Sequence, residues 1–234
     1  MTRANASVDM KRDARNDTAP SKREPKVPNA LLTDIVFYTL KFFAWVLGLT
    51  IFRFRVTGRA NIPLKTGAII ASNHQSYLDP ILMGAMARRR TGYLARETLW
   101  RISPFFSRLI TFLGAIPISI DTLGKDGIRN AAAYLKKKRH IHMFPEGTRT
   151  RDGSIGPMQP GVKLIAQLAG VPIVPAAIKG TFEMWPRHGK WGRIRPLSVG
   201  FAKRFEPEEL RKMTSEEFCK ELRARIVSVY EKLP

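Results

Sequence analysis

A chain of 234 residues with a formal net charge of +21 is long enough to bury one full core, and its positive excess suits an anionic partner: nucleic acid, a membrane surface, or an acidic or phosphorylated substrate. Its one cysteine, Cys219, excludes a disulfide framework and a cysteine-based zinc site. It carries neither a Gly-x-x-x-x-Gly-Lys phosphate loop nor a strand-linked Gly-x-Gly-x-x-Gly, which argues against a nucleoside triphosphatase or a dinucleotide enzyme.

Residues 1–28 mix Lys and Arg with Asp and Pro and lack the cleavage pattern of a secretory signal, so they read as a disordered basic tail. From 29 to 55 the composition turns apolar. Ile35 to Phe52 approaches the roughly 20 residues that a spanning helix needs. Lys41, Arg53 and Arg55 among Tyr38, Phe42, Phe43 and Trp45 instead suit a helix lying in the headgroup region, where rings and basic stems are favoured. An interfacial or half-inserted anchor is the favoured reading; a spanning helix and a buried core helix are the alternatives.

Val56 to Thr66, with Gly58, Asn61 and Pro63, reads as a turn-rich link. Ala68 to Ser72 reads as a buried strand, Asn73 to Asp79 as its loop, and Pro80 to Arg90 as a helix with Asp79 as N-cap and Pro80 at the first helical position. Tyr93 to Ala95 is a short strand, and Glu97 to Phe112 a helix kinked near Pro104. There Trp100, Ile102 and Phe105 interleave with Arg101 and Arg108, as a second membrane-contacting patch or as an ordinary amphipathic helix on a sheet.

Ala115 to Ile120, Lys125 to Lys138 and Ile141 to Phe144 read as strand, helix and strand, a βαβ unit in outline. Lys136 to Arg139 form a basic run, a solvated helix end or a partner site. Gly161 to Ala169 reads as a helix ended by Gly170. Val171 to Ala177 is strand-like, with Pro172 and Pro175 placing it at an edge or a bulge. Trp185 to Arg195 is a basic, aromatic loop or hairpin. Ser215 to Lys232 is an amphipathic helix with Phe218, Leu222, Ile226 and Val229 on one face.

Two polar blocks follow apolar strands: Asn73-His74-Gln75-Ser76-Tyr77-Leu78-Asp79, and Phe144-Pro145-Glu146-Gly147-Thr148-Arg149. Ligands and catalytic groups gather at the carboxyl ends of strands in α/β sheets, so the blocks are expected to share one site. A loop can return the His74 imidazole onto Asp79, which would fix the tautomer and leave the other ring nitrogen as a general base. With no Gly-x-Ser-x-Gly nucleophile, direct attack by a substrate hydroxyl is the natural chemistry. The competing reading is structural: a helix start at Asp79-Pro80 with turn hydrogen bonds around it. Arg149 suits a phosphate or carboxylate, and Glu146 would orient a hydroxyl or hold Arg149; the bland alternative is a salt-bridged turn.

These blocks, followed by Val171-Pro172-Ile173-Val174-Pro175, resemble in order and spacing the first, third and fourth motifs of the glycerolipid acyltransferases, most closely bacterial 1-acyl-glycerol-3-phosphate acyltransferases. The likeness runs from about Val56 to Arg204. It implies a single α/β acyltransferase domain over 56–234, a central mixed sheet flanked by helices, with 29–55 as a membrane-associating helical region on the cytoplasmic side. By the same resemblance His74 is the general base, Asp79 orients it, and Glu146, Gly147, Thr148 and Arg149 bind the acceptor. The hydroxyl attacks an acyl thioester on coenzyme A or acyl carrier protein, with no metal or cofactor, and the product is phosphatidic acid.

One departure stands out. Ile120, after Gly114-Ala115-Ile116-Pro117-Ile118-Ser119, occupies the place of the family's second-motif arginine. Lys125, Arg129 or Arg151 then substitutes for it, or the acceptor is another lysolipid. Two other classes compete with acyl transfer: an esterase or thioesterase using His74-activated water, and a non-catalytic basic protein that binds anionic lipid or, less favoured, nucleic acid.

Overall fold

The computed structural model describes residues 30–86, 91–112, 114–118, 125–187, 189 and 192–234. The tail at 1–28, the end of the helix expected to reach Arg90, and Ile120 lie outside the described residues. Helix α1 (Ala30–Thr50) precedes β1 (Arg55–Thr57), β2 (Ala68–Ser72), α2 (Asp79–Met86), β3 (Thr91–Arg96), α3 (Pro104–Phe112), β4 (Ala115–Ile118), α4 (Lys125–Lys136) and β5 (His140–Met143). Then come α5 (Gly161–Ala169), β6 (Ile173–Lys179), β7 (Ser198–Phe201), α6 (Pro207–Lys212) and α7 (Ser215–Lys232).

Seven strands form one sheet in the order β1-β7-β6-β2-β5-β3-β4. Every pairing is parallel except β6 with β7, so the sheet is mixed. Central β2 is buried at all five residues, as a strand covered on both faces must be. Its side chains alternate between two cores. Ile69 and Ala71 join Ile141, Val162, Phe218 and Leu222 on one face, and Ala68 and Ile70 join Leu82, Val174, Ile178 and Val199 on the other. On α7, Phe218, Leu222 and Ile226 are fully buried, as their spacing requires, with Val229 packed beside them. Thr214 and Glu217 close a reciprocal capping box at the start of that helix.

The sequence-based expectations need correction in several places. The link at Val56 contains β1, an edge strand paired in register with Ser198 to Gly200. Gly58 follows at φ 69°, so close to the Phe201 carbonyl that no side chain fits. β6 is interior, so of the two expectations for its prolines the edge fails and the bulge holds. Antiparallel pairing with β7 begins at Ala176, one residue beyond Pro175, whose carbonyl still accepts from Ala202 N–H (2.9 Å). Ala176 pairs with Phe201 but Ile173 with Phe205, so the partner segment carries one extra residue, a bulge opposite the proline.

The Glu97–Phe112 segment divides at the expected kink into a 3₁₀ turn, Glu97–Arg101, and α3. α4 stops at Lys136, and Lys138 takes a left-handed conformation at φ 58° in the turn to β5. The segment from Trp185 to Arg195 forms no strand among the described residues.

Helix α1 is half docked. Trp45 Nε1 donates to the Ala85 carbonyl (3.0 Å), and the Arg59 guanidinium lies over the Trp45 ring (5.4 Å). Ala44 and Trp45 pack on the second core, whereas Ile35, Tyr38, Phe42, Phe43, Val46 and Leu49 are exposed, Phe42 by 63%. Among the described residues no helix is long and apolar enough to cross a membrane. A wholly buried core helix is excluded by the same exposed face.

Candidate active site

β2 and β5 are neighbours, with Ala71 opposite Met143, so the His74 and Glu146 blocks leave the sheet side by side. Asn73 turns the chain out of β2: its side chain donates to the Ile178 carbonyl (2.9 Å) and accepts from Ile178 N–H (2.8 Å). The His74 backbone is then held from both sides. Its N–H donates to Glu146 Oε1 (2.8 Å), and its carbonyl accepts from Thr150 N–H (2.9 Å). Glu146 Oε2 accepts from Gly156 N–H (2.9 Å), so the carboxylate joins three loop segments. Burial pushes the Glu146 carboxyl above the usual carboxylate range, while these two N–H groups pull the other way.

Asp79 is fully buried and saturated. Oδ2 accepts from Gln75 N–H (2.6 Å) and Ser76 N–H (2.8 Å) and sits 2.9 Å from His74 Nδ1; Oδ1 accepts from the Thr181 hydroxyl (2.7 Å). The carboxylate therefore faces back into the loop and does not cap α2, contrary to the sequence-based expectation. A carboxylate only accepts, so the proton belongs on Nδ1 and Nε2 keeps its lone pair. The His74 ring stacks on Phe144 at 3.8 Å and 16°, and 18% of its side chain is exposed. Nε2 has no hydrogen-bond partner among the described residues. The arrangement is a positioned imidazole with a buried anion behind it and an open basic nitrogen in front.

Arg149 makes no salt bridge among the described residues, so the salt-bridged Glu146–Arg149 turn of the alternative reading does not form. Its guanidinium lies 3.6 Å from the centre of the Tyr77 ring, and its buried Nη1 has no hydrogen-bond partner. Gly147 takes φ 71° in the turn closed by its N–H to the Phe144 carbonyl (3.0 Å), the left-handed conformation that glycine adopts freely. Thr148 is exposed, and its Oγ1 accepts from Arg187 Nη1 (2.8 Å). The structure thus brings together His74, Asp79, Glu146, Gly147, Thr148 and Arg149. It adds Asn73, Thr181 and Arg187, of which only Asn73 lay inside a block that the sequence marks. Among the described residues, no group of three or more His, Cys, Asp or Glu side chains is placed to hold a metal ion.

Residues 53–179 match the Acyltransferase family model, more than half of the chain. The chain belongs to the acyltransferase family. It is 33% identical over 146 residues to the 1-acyl-sn-glycerol-3-phosphate acyltransferase of Pseudomonas aeruginosa, covering 60% of this chain and 54% of that one. To the Saccharomyces cerevisiae enzyme of the same name it is 30% identical over 198 residues, 80% of this chain and 62% of that one. To the Bacillus subtilis enzyme of that name it is 28% identical over 127 residues, 54% and 62% of the two chains. The match therefore spans less than two thirds of each relative. The crystal structure of the 1-acyl-sn-glycerophosphate acyltransferase PlsC from Thermotoga maritima superposes with a TM-score of 0.72 at 22% identity, covering 88% of this chain and 84% of that one. That likeness shows the shared fold.

Behind the catalytic imidazole candidate this member of the acyltransferase family buries a second imidazole. His142 Nε2 lies 2.9 Å from Ser72 Oγ, and its ring meets Tyr93 (5.8 Å) and Phe144 (4.6 Å). Burial, and secondarily the charge of His74, pull its pKa down to about 3. The unfolded chain takes up this proton near the ordinary imidazole value of 6.5 and the folded chain only at about 3. The contribution of His142 to stability is thus fully present above about 6.5 and declines as pH falls toward about 3. Melting curves recorded from pH 7 to 4.5 should show this slope, and it should be shallower in His142→Gln; identical slopes in the two proteins would remove His142 as its source.

Proposed function

We propose that this chain transfers a fatty acyl group from a thioester, carried by coenzyme A or acyl carrier protein, to the sn-2 hydroxyl of 1-acyl-glycerol 3-phosphate, yielding phosphatidic acid. The observation that carries the reading is the open Nε2 of His74, fixed by Asp79 and Phe144, with Arg149 in the neighbouring strand-end loop free of a carboxylate partner among the described residues. Membership of the acyltransferase family and the names of the relatives point to the same reaction.

The proposed steps are these. Nε2 takes the proton of the acceptor hydroxyl as its oxygen attacks the thioester carbonyl. The imidazolium that forms is stabilised by the Asp79 carboxylate. The tetrahedral oxyanion collapses, the C–S bond breaks, and the departing thiolate recovers the proton from Nε2, leaving His74 as it began. Arg149 pairs with the acceptor phosphate, a planar fork matched to its oxygens. Glu146 acts through position, because both its oxygens hold backbone N–H groups of the neighbouring loops.

The exposed face of α1, with Phe42, Phe43 and Tyr38, supports docking of residues 29–55 at a bilayer surface; the proposal puts that surface on the cytoplasmic side and takes 56–234 as the catalytic domain. There the lysolipid is delivered to the site without leaving the membrane. The test is an acceptor panel read by mass spectrometry in mixed micelles with a long-chain acyl-coenzyme A or acyl carrier protein donor. Phosphatidic acid should dominate over products of lysophosphatidylcholine and monoacylglycerol. Preferential acylation of a phosphate-free acceptor would move the substrate, and free fatty acid alone would make the chain a hydrolase.

A further inference from the structure

We infer that Arg187 is a second phosphate-binding residue of the acceptor site, acting with Arg149 and supplying the cation that Ile120 does not; this rests on the lysophosphatidic acid reading above. Arg187 stands outside all the family-like blocks, in the loop after β6, yet that loop is stapled to the His74–Asp79 segment at several points. The Ser76 hydroxyl donates to the Trp185 carbonyl (2.7 Å), Ser76 and Pro186 form a β-bridge, and the Tyr77 and Trp185 rings pack at 5.3 Å. Tyr77 also carries the Arg149 guanidinium, and Arg187 Nη1 donates to the hydroxyl of the adjacent residue, Thr148 (2.8 Å). The Arg149 guanidinium is thus held on Tyr77 and that of Arg187 on Thr148, the residue before Arg149, while Tyr77 itself packs on Trp185 of the Arg187 loop.

Neither arginine has a carboxylate partner among the described residues. A guanidinium offers five N–H donors, of which Arg187 commits one to Thr148. The buried, unpartnered Nη1 of Arg149 is costly unless an acceptor oxygen arrives with the ligand. A phosphomonoester carries close to two negative charges and three acceptor oxygens, which two arginine forks satisfy better than one. Coenzyme A also bears phosphates, so the shared chemistry is a phosphate group, and the test has to separate acceptor from donor.

The experiment uses hexanoyl lysophosphatidic acid and monohexanoylglycerol, both below their micelle concentrations, with acyl-coenzyme A as donor. Equilibrium binding of the lysolipid is measured by calorimetry on the His74→Ala protein with and without Arg187→Ala, and KM and kcat on proteins that retain His74. Arg187→Ala should raise Kd and KM for the phosphate-bearing acceptor by about tenfold to a hundredfold, the scale of a lost charge-assisted contact. KM for acyl-coenzyme A and the kinetics with monohexanoylglycerol should change by less than about threefold, and Arg187→Lys should recover part of the loss. Unchanged Kd for the lysolipid, an equal loss with the phosphate-free acceptor, or a shift in KM for acyl-coenzyme A instead would overturn the inference. Binding that depends on Arg187 without any acylated product would leave it standing and overturn the reaction; product formation with Arg187-independent binding would do the converse.

Discussion

His74→Ala is expected to lower kcat by about 10² to 10⁴, the usual scale for a positioned base, with little change in stability. The substitution removes the group that presents an open basic nitrogen between the two strand-end loops among the described residues. It leaves the loop framework intact, because the His74 backbone N–H and carbonyl, not its ring, bind Glu146 and Thr150. Asp79 keeps its bonds from Gln75, Ser76 and Thr181. The expected loss in melting free energy is therefore about 1 kcal/mol, from one hydrogen bond and the stack on Phe144. Initial rates of product formation, beside a urea melt of the same preparation, check both parts. A rate within a few-fold of wild type would place the base elsewhere.

Asp79→Ala is expected to damage both activity and fold. Four donors converge on this buried carboxylate, and alanine leaves the N–H groups of Gln75 and Ser76 and the Thr181 hydroxyl without an acceptor. Each unsatisfied buried group costs about 1–3 kcal/mol; the terms are not additive, and partial relaxation of the loop brings the sum to about 3–5 kcal/mol. Asp79→Asn retains an acceptor oxygen for the backbone donors, and the rotating Thr181 hydroxyl can accept from its amide. It should fold close to normally while losing the anion that stabilises the imidazolium, with kcat down by about 10² or more. Urea titration and initial rates on both variants separate the two roles. Equal stability in all three proteins would show that the carboxylate does not hold the loop.

The parts of this molecule that were legible in the sequence are those with a local cause. β2 and β5 are covered on both faces and so write themselves as short apolar runs, and the polar blocks after them mark where each strand ends. Gly170 at φ 67° and the face of α7 follow from the same local rules. What escaped depends on distant partners. β1 has three residues, too few for an alternation to show, and exists because β7 offers a parallel edge. Pro172 and Pro175 signalled an edge or a bulge, and the choice between the two rests on the distant pairing of Ile173 with Phe205.

The site divides in the same way. His74 and Asp79 meet as their loop spacing suggested, but the direction of the Asp79 carboxylate depends on Thr181, a hundred residues downstream. Glu146 looked like a ligand group or a partner for Arg149, and instead braces the backbone at His74 and Gly156. Arg187 sat unmarked in a basic loop; it reaches Thr148 through contacts made by Trp185 and Pro186, which no spacing rule connects to Ser76.

The most direct test is to give the wild-type protein acyl-coenzyme A with an isotope-labelled acyl chain and 1-acyl-glycerol 3-phosphate with a differently labelled glycerol, and to weigh the lipid products. A direct transfer assisted by His74 yields phosphatidic acid carrying both labels, together with one equivalent of free coenzyme A thiol. Release of labelled free fatty acid with the lysolipid recovered unchanged would contradict it.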